Sequence, residues 1–128
     1  MKTFLAIAAI LAWFFGVMLL LSPAKFYTPT GIVMTPLLAT IAQAHGATLV
    51  GVGVIDWLAR SAEHKGLMAV LIGNLVVQVL SLFVVLRTMQ LGAGTAVVPG
   101  VVIHVVLGAF FLFFIIRGQS QRRTASAT

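Results

Sequence analysis

Four apolar stretches, roughly 3–22, 36–58, 67–88 and 96–116, run through this 128-residue chain, and no charge interrupts any of them near its middle. A helix rises about 1.5 Å per residue and a hydrocarbon core is about 30 Å thick, so each stretch can cross a bilayer once. With 61% hydrophobic residues, 8% charged residues and a mean hydropathy of +1.16, the composition is that of a chain dissolved in lipid. Four crossings use up nearly the whole chain and leave no room for a soluble catalytic domain. The expected fold class is therefore all-α, an integral membrane four-helix bundle. Residues 1–116 would form its single domain and 117–128 a basic cytoplasmic tail. The run from Thr3 to Leu21 exceeds a usual signal-peptide core, so the first helix is expected to stay as an anchor despite Ser22-Pro23-Ala24.

Helix ends are marked by proline and threonine. Thr35 and Thr95 read as N-terminal caps, with Pro36 and Pro99 in first turns, where a missing N–H costs nothing. The segment 23–35, with two prolines, Gly31 and the Phe26-Tyr27 pair, reads as an interfacial loop with its aromatic rings at headgroup level. The remaining connections, 59–66 and 89–95, are short, which makes sequential helices antiparallel neighbours in an up-down-up-down bundle.

Charge sets the orientation. The formal charge is +6, and the eight basic residues stand singly or in pairs at the ends of apolar runs, which is a topology signal and not a nucleic-acid footprint. Lys2, Arg60, Lys65, Arg117, Arg122 and Arg123 fall on one side, with Lys25 and Arg87 on the other, so both termini are expected in the cytoplasm. Cysteine is absent, which removes thiolate catalysis, disulfide exchange and cysteine-ligated metal.

Polar groups are costly in hydrocarbon and so are the best guides to a site. The first helix has none between Thr3 and Ser22 and is expected to face lipid or a partner, with Trp13 packing between helices. His45, Gln78 and His104 each lie eight or nine residues from the outer end of their helix, which sets all three about 12–14 Å deep. Asn74, Gln78 and Ser81 follow an i, i+4, i+7 spacing and form one stripe expected to point inward. Gly100 and Gly108 flank His104 on its own face, so something bulky can approach that backbone. A neighbouring helix is one occupant. The other is a flat tetrapyrrole, haem b or a chlorophyll type, with His45 and His104 as axial ligands, because neutral imidazole binds haem iron and chlorophyll magnesium. The plainer alternative makes both histidines hydrogen-bonded structural residues, with Gln78 or Gln43 as partner. A quinone or proton site is a third. Two histidines are too few for zinc. Asp56 is expected to pair with Arg60 four residues on, beside Trp57 in the aromatic belt.

The passage from Pro23 through Tyr27 and Gly31 to Pro36, then His45-Gly46-Ala47, Gly51-Val52-Gly53, Asp56-Trp57-Leu58-Ala59-Arg60 and Gly73-Asn74, resembles small DoxX-like four-helix bacterial membrane proteins over residues about 10–80. The resemblance implies a four-helix bundle in the bacterial inner membrane and, since some members are subunits tied to quinone-linked oxidoreductases, a subunit role. The segment around His104 departs from that pattern, so no catalytic residue is carried over.

Three function classes follow. An accessory or structural subunit needs only apolar faces, such as the first helix and the Phe110-Phe111-Leu112-Phe113-Phe114 band, to pack on other membrane subunits or on copies of itself. A tetrapyrrole protein would use His45 and His104. A transporter of the multidrug type would need a carboxylate in its pathway, which the first helix lacks. A stand-alone enzyme has no nucleophile with a base, no carboxylate pair and no phosphate loop to work with. The accessory subunit is the preferred reading.

Overall fold

The structure, a computed structural model, describes the backbone of residues 1–125 and side chains through Ser120. Among the described residues there is no strand. Helices α1 (Lys2–Leu21), α2 (Pro23–Tyr27), α3 (Pro36–Ala59), α4 (His64–Thr88) and α5 (Val98–Ala125) follow in chain order. Three helical stretches are long and apolar enough to cross a membrane: Lys2–Leu21, Pro36–Ala59 and His64–Ser120. The last is 57 residues, more than twice what one crossing needs. Its backbone breaks at Met89–Val97, where Gly92 (φ 115°) and Gly94 (φ 55°) take conformations that side-chain-bearing residues rarely adopt. The chain divides into two compact units, Met1–Ser61 and Ala62–Thr128.

The first unit is a hairpin of α1 and α3. Gly16 lies against Gly46, while Trp13, three residues earlier, lies against Gly53, seven residues later, so the two helices run antiparallel. The approach is as close as backbones permit. A Cβ at Gly46 would stand 2.7 Å from the Gly16 carbonyl oxygen, and one at Gly16 would stand 2.8 Å from that of Gly46. Between membrane helices, where hydrophobic driving force is weak, such small-residue contact lets van der Waals packing hold the pair. Leu5, Ala8, Ala9, Gly16 and Leu19 are the buried face of α1. Glycine, alanine and leucine thus form the inner side of the first helix, and Trp13 packs between the helices as expected. Thr35 caps α3 as expected, its Oγ1 accepting from the Leu38 N–H at 3.2 Å. Segment 23–35 is more ordered than a loop, since α2 and a 3-10 turn (Thr28–Thr30) occupy most of it. Phe15, Phe26 and Tyr27 form an edge-on aromatic series there, and burial pushes the Tyr27 phenol above its usual range.

The second unit is a hairpin of α4 and α5. Gly118 meets Met68, Gly108 meets Gln78 and Gly100 meets Val85, again an antiparallel register. Thr95 does not cap α5. It lies inside a 3-10 turn, Gly94–Val97, and the helix opens at Val98. At its other end α5 continues to Ala125, so residues 117–125 extend the helix where a separate tail was expected. The side chains of Arg122 and Arg123, and residues 126–128, lie outside the described residues.

Candidate functional site

Three polar side chains are buried among the described residues, Asp56 on α3 and Asn74 and Gln78 on α4. Leu71, Asn74 and Gln78 are the buried residues of α4, with Asn74 6% and Gln78 8% exposed. Spacings of three and four put them on one face, as the sequence pattern requires. Asn74 Nδ2 donates to the Val70 carbonyl one turn back at 3.1 Å. Gln78 reaches across the hairpin, and its Oε1 lies 2.7 Å from His104 Nδ1. A carbonyl oxygen can only accept, so Nδ1 carries the proton in this bond.

Gly108 explains how the bond is reached. A Cβ there would meet the Cβ of Gln78 at 3.5 Å, so the stem of Gln78 lies along the glycine and its amide arrives at the imidazole of His104. Gly100 is covered in the same way by Val85, at 3.6 Å. Val85 and the stem of Gln78 thus stand at ordinary contact distance from the two glycines that flank His104. A macrocycle on that face would have to displace Val85 and Gln78.

His45 belongs to the other unit, on an exposed face of α3. Among the described residues no group of three or more His, Cys, Asp or Glu side chains gathers as metal ligands would. Gln43 does not partner a histidine. Its Nε2 donates to the Leu20 carbonyl at 3.1 Å, satisfying one of the carbonyls left over at the end of α1.

The end of the first hairpin where α3 closes departs in part from the sequence expectation. Asp56 is buried, 1% exposed. Arg60 turns to Trp57 and not to the acid: its Nε donates to the Trp57 carbonyl at 2.8 Å, and its guanidinium carbon lies 3.4 Å above the Trp57 ring. The Trp13 and Trp57 rings meet at 5.4 Å between centroids, tilted by 39°, and the Trp13 ring fills the space that a side chain at Gly53 would need. The aromatic-belt signal pointed to Trp57. Nothing in the sequence pairs it with Trp13, 44 residues away.

Comparison with protein-family models, curated proteins and solved structures gave no match.

Proposed function

We propose that this chain is a four-span protein of the bacterial inner membrane, an up-down-up-down bundle with both termini cytoplasmic, serving as a non-catalytic accessory or structural subunit of a larger membrane complex. The observation that carries this reading is the use made of the polar groups within the long helices. His104 binds Gln78, Gln43 binds a helix end, and among the described residues no buried side-chain nitrogen or oxygen lacks a hydrogen-bond partner. Polar groups consumed in holding helices together are structural. The opposite faces are apolar, as with Ile7, Ile10, Phe14, Val17 and Leu21 on α1, all exposed. The DoxX-like resemblance and the six-to-two distribution of basic residues agree with this assignment. The test is blue-native electrophoresis of membranes dissolved in mild detergent, with the chain at its native level. It should migrate in a complex far heavier than its own 13.6 kDa, with a second membrane protein in fixed ratio. Migration as a lone monomer would remove the subunit reading.

One observation favours the tetrapyrrole reading as runner-up. Histidine ligands are commonly oriented by a hydrogen bond at the other ring nitrogen, and Gln78 supplies one at Nδ1 of His104. A visible spectrum of the purified protein with and without dithionite decides it. A Soret band lost in His45→Ala or His104→Ala would displace the structural reading, while a folded, colourless protein ends the cofactor reading.

A further inference from the structure

Arg60 stands immediately beyond the last residue of α3 and is fixed more firmly than an interfacial arginine needs to be. A guanidinium has five N–H donors in a planar fork. Here one of them, on Nε, goes to the Trp57 carbonyl, and the plane rests on the Trp57 ring. Among the described residues this is the one hydrogen bond that Arg60 donates. Its support is layered: Arg60 on Trp57, Trp57 against Trp13, and Trp13 seated on Gly53. The antiparallel register of α1 and α3 brings the start of α1 to this same end, which adds the exposed cation Lys2. The acid of this helix, Asp56, is 1% exposed, so its carboxylate is not itself accessible to a headgroup.

A preorganised planar fork, with a second cation at the same end of the hairpin, suits a phosphate, since bidentate contact to phosphate oxygens is what a fixed guanidinium does best. The tryptophan beneath it sets the level, because its ring belongs at the boundary between hydrocarbon and headgroups. We propose that Arg60, held by Trp57 and with Lys2 adding positive charge at the same helix end, binds the phosphate of an anionic phospholipid headgroup. The inference rests on the membrane-spanning reading given above.

The test uses the two tryptophans as reporters in the full chain. In a Trp13→Phe background, Trp57 is the sole tryptophan and is excited selectively at the red edge, beyond the absorption of Tyr27. Reconstitution into phosphatidylcholine vesicles containing brominated phosphatidylglycerol, and into the converse mixture with brominated phosphatidylcholine, measures which lipid stands beside Trp57. Phosphatidylglycerol should be preferred, with Arg60 accounting for about five-fold of the preference, the factor expected of one basic residue at an anionic surface. Arg60→Gln should lower the preference to the smaller value that Lys2 alone sustains, and Arg60→Lys, which keeps the charge without the fork, should fall between that value and the parent's. If Arg60→Gln fails to fold, as judged by circular dichroism, Lys2→Gln should still lower the preference. Equal quenching in the parent, or an undiminished preference in Arg60→Gln, would overturn the site. Inorganic phosphate should displace the lipid no better than chloride at equal ionic strength. Specific displacement would make this a site for free phosphate and refute the lipid assignment. If neither brominated lipid quenches Trp57, the spanning reading itself fails, an outcome distinct from equal quenching.

Discussion

Replacing Gly46 by alanine should loosen the first hairpin, and the size of the effect follows from the contacts. The new Cβ would stand 2.7 Å from the Gly16 carbonyl oxygen, 2.9 Å from Leu19 Cβ and 2.9 Å from the Leu20 nitrogen. Two of these three are backbone atoms of α1, so no flexible side chain can swing aside. To reach 3.4 Å, where ordinary contact begins, α1 and α3 must separate locally by about 0.7 Å. On a steep van der Waals potential that forfeits much of the contact along the seam, and overpacking of this kind costs about 1–3 kcal/mol. Gly51→Ala is the control on the same helix, since its Cβ would meet nothing within 4 Å. Alanine is intrinsically the better helix former by up to ~1 kcal/mol, so Gly51→Ala should be neutral or stabilising. The assay is unfolding in mixed micelles of rising dodecyl sulfate fraction, followed by tryptophan fluorescence, because Trp13 and Trp57 lie on this interface. Gly46→Ala as stable as the parent, or Gly51→Ala equally damaging, would refute the close seam.

Further outcomes can be checked with similar means. Gln78→Leu and His104→Leu should each lower stability by about 1–2 kcal/mol, because each strands the other's polar group, and the double variant should lose less than the sum, measured as a double-mutant cycle in the same titration. Thr35→Ala removes the α3 cap and should cost about 1 kcal/mol or less, read as faster amide exchange near Leu38. Tyr27 is the single tyrosine, and its phenol is shifted up by burial, so its absorbance near 295 nm should titrate at higher pH than a tyrosine peptide in the same detergent. The sign follows from the neutral form being favoured on folding: its contribution is present below the ordinary phenol pKa of about 10 and is lost as pH rises through the raised value.

Hydropathy located the helices well because each is long and apolar on every side. The expected 36–58 and 67–88 became Pro36–Ala59 and His64–Thr88, and the errors lie at the polar ends, where His64 and Lys65 join a helix that apolarity alone starts later. The same evenness hid which face of each helix turns inward. In α1 the inward face is marked by Ala9 and Gly16, not by polarity, and a lone glycine in an apolar run does not reveal its partner 30 residues on. The α4 stripe was readable because Asn74 and Gln78 contrast with their surroundings, and Gln78 as a partner for His104 was among the alternatives that the depth match offered. The Asp56–Arg60 spacing misled for a physical reason. The guanidinium has a nearby aromatic face and backbone carbonyl at Trp57, and local stacking took precedence over the i, i+4 pair.

Because the chain has no cysteine, single substitutions give a clean map of its path through the membrane. Lys2→Cys, Thr30→Cys, Ser61→Cys, Gln90→Cys and Gln119→Cys would be treated with a membrane-impermeant maleimide on intact spheroplasts and again after the membranes are opened. Two antiparallel hairpins with both ends inside predict labelling of positions 30 and 90 in intact cells, and of positions 2, 61 and 119 only after opening. Reaction at 2 and 119 on opposite faces, or at 61 from outside, would contradict the four-span arrangement.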